Sequence, residues 1–361
     1  MVKKIASSLL WLGSLPLCIY TLVTYLLSYS LIVDHWIAGF LMMTMPIALL
    51  GCVSIALIWL FVNPSRAILP FCVLLIGYPF IRRTVALGSG NKIESSEQSF
   101  TILDYNVFGF YAQEAPLNQD KARGGVAFAH EYKADIKCFQ EFLNYEDRED
   151  FHTLDLIKKD NPYWVSMHKN ISHGETTLIT FSKYPIIHSE HEQFGSANTN
   201  GYLIADIAFP NDTIRVINFQ LQSMGIRVAN LVSKLKEKEV SGVKEQGRDI
   251  FSSLKMGFVT HAQQVKVLED LIEASPYPVM LTGDLNEMPY GYSYGRLSDR
   301  LSNAFEEAGH GFGLTLNRSP RFVRIDNQFY SNQMEAVDFQ TLRNIPYSDH
   351  YPIVGNYLIC K

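Results

Sequence analysis

The chain has 361 residues, 31 of them basic and 36 acidic, enough for one large domain plus an appendage and far too long for a small disulfide scaffold. Its charge is divided: residues 1–90 hold Lys3, Lys4, Arg66, Arg82, Arg83 and a single acid, Asp34, which leaves 26 basic and 35 acidic residues for 91–361. A body with that acidic excess lacks the broad Lys/Arg footprint that neutralises phosphates, which argues against high-affinity duplex binding without excluding a local basic patch or nuclease chemistry. The five cysteines show no CxxC or Cys/His spacing and read as free thiols.

Residues 5–33 and 36–65 carry no charge, and each run exceeds the roughly 20 residues that span a bilayer as helix. Helices are predicted at about 9–31 and 37–60. A cleaved signal peptide fits poorly, because the first run is far longer than the ~7–15 apolar residues of such a signal. A third helix is predicted at 67–87 and spans if Arg82 and Arg83 snorkel to the interface. Residues 1–87 then form a multi-pass cell-membrane region in contact with the lipid bilayer. Lys3, Lys4 and Arg66 favour an inside N-terminus, whereas Arg82 and Arg83 pull the other way; with three spans the expectation is a body on the extracytoplasmic side. The small polar stretch 88–99 (GSGNKIESSEQS, from Gly88) is a linker.

From Phe100 to Val107 the pattern is a strand; a helix follows near Lys121 to Tyr132 and a second strand from Asp135 to Glu141. Further strands are expected near 163–168, 176–181, 185–192, 202–209 and 213–221, spaced as hairpins. Ala229 to Lys255, rich in Lys and Glu, reads as a helical insertion joined to a second helix through about Ala274. Then Val279-Met280-Leu281 forms a buried-strand run that turns abruptly into Gly283-Asp284-Leu285-Asn286-Glu287. Asp, Asn and Gly there are also ordinary turn residues, so the stretch gains meaning only from what accompanies it. Arg324-Ile325-Asp326 opens a strand-like run ending at Tyr330, and Ser348-Asp349-His350-Tyr351-Pro352 precedes the last strand. The pair His188 and His191 suggests metal binding only superficially, because three positions apart in a strand they face opposite ways.

YNV at Tyr105–Val107, FQE at Phe139–Glu141, GDLN at Gly283–Asn286, RID at Arg324–Asp326 and SDHYP at Ser348–Pro352 occur in this order, with SKYPII at Ser182–Ile187 and NFQLQS at Asn218–Ser223 between them. Together they resemble the endonuclease/exonuclease/phosphatase family, the deoxyribonuclease-I-like fold, over about residues 99–361. The resemblance implies an α/β fold, a four-layered α/β sandwich over 100–361, and metal-assisted hydrolysis of phosphate esters. It implies Glu141 as principal metal ligand, Asn106 assisting and Asp349 completing the site. Asp284 then orients or deprotonates the attacking water, Asn286 hydrogen-bonds the phosphoryl group, and His350 pairs with Asp326 to act on the scissile phosphate. Asn218 and Gln220 fall at substrate-binding positions.

The chemistry is consistent with those residue types. Hard carboxylate oxygens such as those of Glu141 and Asp349 suit Mg²⁺, with Mn²⁺ as an alternative, and a His held by an Asp keeps a defined tautomer and a raised pKa. One departure stands out: Gln220 occupies the place where nucleases and sphingomyelinases of this family carry a second His, and an amide donates a hydrogen bond but carries no proton. Asn327 also stands where an aromatic is common. The expectation is a membrane-anchored, Mg²⁺-dependent phosphodiesterase acting on a phosphate-ester substrate, whether a nucleic acid, a phospholipid headgroup or a small diester. The alternatives are a phosphomonoesterase, or an impaired domain that binds phosphorylated ligands or a protein partner.

Overall fold

The computed structural model describes residues 2–30, 36–88, 99–113, 117–145, 148–168, 175–195, 199–224 and 240–360. Nearly all of the expected linker, and residues 229–239 of the expected insertion, lie outside them. The N-terminal head contains α1 (Val2–Ser30), α2 (Trp36–Met43), α3 (Met45–Val62), α4 (Pro64–Ile76) and α5 (Tyr78–Thr84). Prolines set several of these boundaries. Pro46 and Pro64 sit in the first turns of α3 and α4, where a missing N–H costs nothing, but neither could continue a preceding helix. The predicted helix at 37–60 is therefore split at Thr44.

Two helical stretches, Ser7–Ser28 and Met45–Val62, are long and apolar enough to cross a membrane, and Ile47, Leu50 and Phe61 of the second point outward. The third predicted helix is bent, and it counts as a span only with α4 and α5 taken together. α4 and α5 meet at a 66° bend at Gly77, where a Cβ would lie 2.0 Å from the Tyr25 hydroxyl. The helix stops at Thr84, and Ala86–Leu87 becomes a strand paired with His310–Gly311. Arg82 and Arg83 both reach the body. Arg82 donates to the Glu306 carbonyl at 2.6 Å and meets Glu307 at 3.0 Å, while Arg83 lies 3.7 Å from Glu306. They fasten the head to the acidic body.

The body strands, numbered with Ala86–Leu87 as β1, are β2 (Ser99–Asn106), β3 (Ile136–Phe142), β4 (Tyr163–Ser166), β5 (Thr177–Ser182), β6 (Ile186–Gln193), β7 (Gly201–Ala208), β8 (Thr213–Gln220), β9 (Val279–Asp284), β10 (Ser302–Asn303), β11 (His310–Gly311), β12 (Asp326–Tyr330), β13 (Met334–Thr341) and β14 (Ile353–Ile359). Apart from β11, which pairs with β1, they form two six-stranded sheets, ordered β13-β14-β2-β3-β5-β4 and β10-β12-β9-β8-β7-β6. The expected hairpin run is thus shared between sheets, the chain crossing over between β5 and β6. Ile102, Ile136 and Cys138 of one sheet meet Ala205, Val216 and Met280 of the other in a common core. On the outer faces, Leu103 and Phe139 pack under the helix Gln119–Glu131, and Ile217 and Leu281 pack under Val265 and Leu268 of the helix Val240–Glu273. This is the expected four-layered α/β sandwich. Strands buried on both faces read as continuous apolar runs rather than alternating ones.

The described part of the insertion is one continuous helix, Val240–Glu273, rather than two. Its length follows from topology. β8 and β9 are parallel, as are β2 and β3, and a parallel pair needs a long crossover, supplied here by Val240–Glu273 and Gln119–Glu131. Parallel pairing also brings the C-terminal ends of β2, β3, β8 and β9 to one edge of the sandwich. The antiparallel neighbours deliver their beginnings to the same edge: Asp326 pairs with Asp284 and Ile353 with Asp104.

Candidate active site

Asn106 ends β2, Glu141 lies at the end of β3, Gln220 ends β8, Asp284 ends β9 and Asp326 begins β12. Two local distortions aim side chains into the cleft between them. The β3–β5 register slips between Phe139 and Phe142, and Glu141 within that bulge has φ of 51°; Asn286, beyond β9, has φ of 49°. Left-handed backbone at non-glycine residues costs free energy and gathers where side-chain aim matters. Gly283 has φ of 148°, and a Cβ there would lie 1.9 Å from the Phe219 carbonyl oxygen, so the residue before Asp284 has no room for a side chain.

The centre is His350. Its Nδ1 lies 3.0 and 2.9 Å from the two carboxylate oxygens of Asp326, while Nε2 faces Asp284 Oδ2 and Asp349 Oδ1, each at 3.9 Å. Asp284 Oδ1 accepts the Asn286 backbone N–H at 2.7 Å, and Oδ2 accepts from the side-chain amides of Asn286 at 3.1 Å and Asn106 at 3.3 Å. The Asn106 amide also reaches Glu141 Oε1 at 3.1 Å, where Gln220 Nε2 donates at 2.7 Å. Ser348 secures the loop, donating to the Asn106 carbonyl at 2.7 Å and accepting from the His350 N–H at 3.2 Å.

Burial and neighbouring charge set the protonation states. Burial, then the nearby Asp326 carboxylate, pushes the Asp284 carboxyl up to about 7, against the opposing pull of His350 and the Asn286 N–H. For His350 burial works the other way, but Asp326, Asp284 and Asp349 outweigh it and hold the imidazole well above its ordinary value, as an imidazolium. Beneath the cleft, burial and Asp326 raise Asp104 well above the carboxylate range.

All the predicted site residues except Asn218 come together at this edge. Asn218 has no solvent exposure; its amide donates to the Phe139 and Ile179 carbonyls at 3.2 and 3.0 Å, and its Oδ1 accepts from Gln140 at 2.8 Å. It ties the sheets together below the cleft and does not reach a substrate. Asn327 is likewise buried, hydrogen-bonded to Arg324 and to Asn303. His188 and His191 lie exposed on the edge strand β6.

Three features escaped the sequence reading. Arg318 Nε lies 3.1 Å from Asp349 Oδ2. Gln140 bridges Asp104 and Asn218 at 2.7 and 2.8 Å. Glu287 binds His261 Nδ1 at 3.1 Å and the Ser293 hydroxyl at 2.7 Å, while His261 Nε2 lies 2.7 Å from the Gln222 carbonyl, so the loop after β9 is fastened to the long helix. Only Glu287 had a local signal, its place in the GDLNE cluster.

The donor set suits a hard divalent cation. Carboxylate oxygens of Asp284 and Asp326 lie within 4.8 Å of one another, Glu141 and Asp349 add further carboxylates, and Gln220 Oε1 is buried without a hydrogen-bond partner. Four carboxylates beside His350 and Arg318 leave excess negative charge in the cleft, and oxygen donors are what Mg²⁺ and Mn²⁺ take.

An α/β/β/α sandwich with a His–Asp pair and clustered carboxylates at one end of both sheets defines a class of phosphoester hydrolases. The chain belongs to the endonuclease/exonuclease/phosphatase family, whose model matches residues 105–350. Residues 7–84 match the model of a domain of unknown function (DUF8431). No curated protein matches the chain. Among solved structures, it is similar to the endonuclease/exonuclease/phosphatase from Beutenbergia cavernae, with 13% identity, a TM-score of 0.51, and coverage of 73% of this chain and 72% of that one. A family protein from Bacteroides thetaiotaomicron has 15% identity and a TM-score of 0.50, with 72% and 95% covered. The D. rerio TDP2 complexed with single strand DNA product has 17% identity and a TM-score of 0.50, with 72% and 98% covered. At these identities the likeness is one of fold.

Proposed function

We propose that this protein is a membrane-anchored, Mg²⁺-dependent phosphodiesterase. The observation that carries the reading is the buried His350–Asp326 pair facing Asp284 at 3.9 Å. That arrangement sets a cationic proton carrier opposite a carboxylate whose affinity for protons lies near neutrality. Asp284 receives the proton of the attacking water. Asn286, fixed on Asp284 and on the Leu221 carbonyl at 3.0 Å, presents its amide to the phosphoryl group. His350, oriented by Asp326, stabilises the charge on the phosphoryl oxygens and protonates the departing oxygen. Water adds across one P–O bond, giving a monoester and an alcohol.

Glu141 and Asp349, with Asn106, are the residues that would hold Mg²⁺ or Mn²⁺, which supplies charge stabilisation at the phosphoryl oxygens when bound. Gln220 acts on Glu141 rather than on a proton: its donated hydrogen bond at 2.7 Å holds the carboxylate in place. The same observation supports a second reading, an impaired domain that binds phosphorylated ligands, because among the described residues only one imidazole serves the cleft. The full chain, purified in detergent, is to be assayed with Mg²⁺ on a chromogenic diester, its matched monoester and single-stranded DNA, beside Asp284→Ala, His350→Ala and Gln220→His. Diester hydrolysis lost in the first two variants supports the phosphodiesterase. Turnover appearing only in Gln220→His supports the binding domain, and preference for the monoester moves the reaction class.

A further inference from the structure

A cavity of about 510 Å³ opens beside the catalytic cleft and shares Asn286 and Glu287 with its rim. Its walls come from the long helix (Leu254, Phe258), the loop before β12 (Leu316, Val323, Ile325) and Met43 of the head. The first five are buried. Arg318 and Arg321 are the cationic groups at its mouth. Arg318 also lies 3.1 Å from Asp349, so a positive charge stands between the apolar space and the acidic cluster. The volume is that of a small-molecule site, and its apolar wall with polar groups at one end is how such sites orient an amphiphile.

Its position names the amphiphile. Met43 is the last residue of α2, two positions before α3, one of the two candidate membrane spans, begins. α2 is docked on the long helix by aromatic packing: Phe40 stacks on Phe251 with ring centroids 4.7 Å apart and meets Phe258 edge-on at 5.7 Å. The fit is so close that a Cβ on Gly39 would lie 2.6 Å from the Phe258 ring. In the cavity's lining, Phe322 keeps 69% of its surface exposed. An apolar cavity continuous with the head, guarded by arginines and ending at the catalytic loop, fits a hydrocarbon chain whose phosphate sits in the cleft. It offers little to a polyanion of stacked bases.

We propose that the cavity binds the hydrocarbon chain of a membrane lipid bearing a phosphodiester headgroup, which makes such lipids the substrate class. The proposal rests on the phosphodiesterase reading above and specifies its substrate. The test uses the full chain in amphipol with Mg²⁺ and a series of 4-nitrophenyl alkyl phosphate diesters from methyl to octyl. With roughly the transfer free energy of one methylene gained per carbon, kcat/KM is expected to rise about four-fold per added carbon until the cavity is filled. Leu254→Trp, which fills the cavity, is expected to abolish that rise. A flat series for the native protein, or a Leu254→Trp variant with the native slope, overturns the cavity assignment while leaving the catalysis standing. Faster cleavage of single-stranded DNA than of the octyl diester overturns it too. Absence of hydrolysis at every chain length removes the phosphodiesterase reading and the lipid assignment together.

Discussion

Replacing Asn218 by leucine separates a structural tie from a substrate contact. The two side chains are close in size, so the change opens little space but removes every polar atom of the amide. The Phe139 and Ile179 carbonyls lose a donor at 3.2 and 3.0 Å, and one Gln140 N–H loses its acceptor at 2.8 Å, all in the space between the sheets, where Asn218 has no exposure. A buried polar group left without a partner costs about 1–3 kcal/mol. Three such groups, partly relieved by relaxation, amount to roughly 3–5 kcal/mol, a large share of the ~5–15 kcal/mol that holds a domain folded. At about 2–4 °C per kcal/mol for a domain of this scale, the unfolding midpoint should drop on the order of 10 °C. Thermal unfolding of the full chain in detergent measures that, with diester kinetics taken well below both midpoints. An unchanged midpoint together with a raised KM would refute the reasoning and return Asn218 to the substrate.

Three further outcomes are expected. Asp326→Asn keeps the shape of His350's partner but not its charge, and should lower kcat on the order of 10³-fold or more with KM little changed; a native kcat would make the pair purely structural. With Asp284 titrating near 7 and acting as its carboxylate, diester hydrolysis should fall as pH drops below about 7. Because a cation favours the ionised carboxylate, the midpoint of that acid limb should move to lower pH as Mg²⁺ is raised; a midpoint indifferent to Mg²⁺ would contradict the assignment. Lys137 is buried with its ammonium on the Ala129 and His130 carbonyls at 2.9 and 3.0 Å, and burial pushes it down to about 8. Its folded pKa lies below its unfolded one, so the cost of the charge is full below pH 8 and fades as pH rises to 10.5. The stability gain of Lys137→Met over the native chain should therefore shrink by roughly 3 kcal/mol across that window in denaturant titrations.

The fold was legible where local chemistry and global position agree. Uninterrupted apolar runs such as Val279–Leu281 mark strands covered on both faces, and the order of motifs marked the family. Less legible were features decided by distant partners. Spacing that suits hairpins does not say that the chain changes sheet between β5 and β6. Composition could not separate an arginine that snorkels from one that binds protein, because both fates need only a positive charge beside an apolar helix. Arg82 and Arg83 meet Glu306 and Glu307, more than 220 residues away in the chain, and that pairing fastens the end of the third helix to the body.

The site shows the same division on a smaller scale. Residues two apart on a strand share a face, so Asn218 and Gln220 are equivalent in sequence terms: two amides pointing between the sheets from β8. Only register distinguishes them. Gln220 pairs with Asp284, level with the catalytic edge, whereas Asn218 pairs with Thr282, one full repeat deeper. Depth decides the partner: Gln220 meets the Glu141 carboxylate, and Asn218 meets backbone carbonyls. An amide serves both positions because each asks for a donated hydrogen bond and neither asks for a proton. Among the described residues of the cleft, proton transfer then falls to His350 and Asp284, which is why the Asp326 partner of that one imidazole should weigh so heavily on kcat.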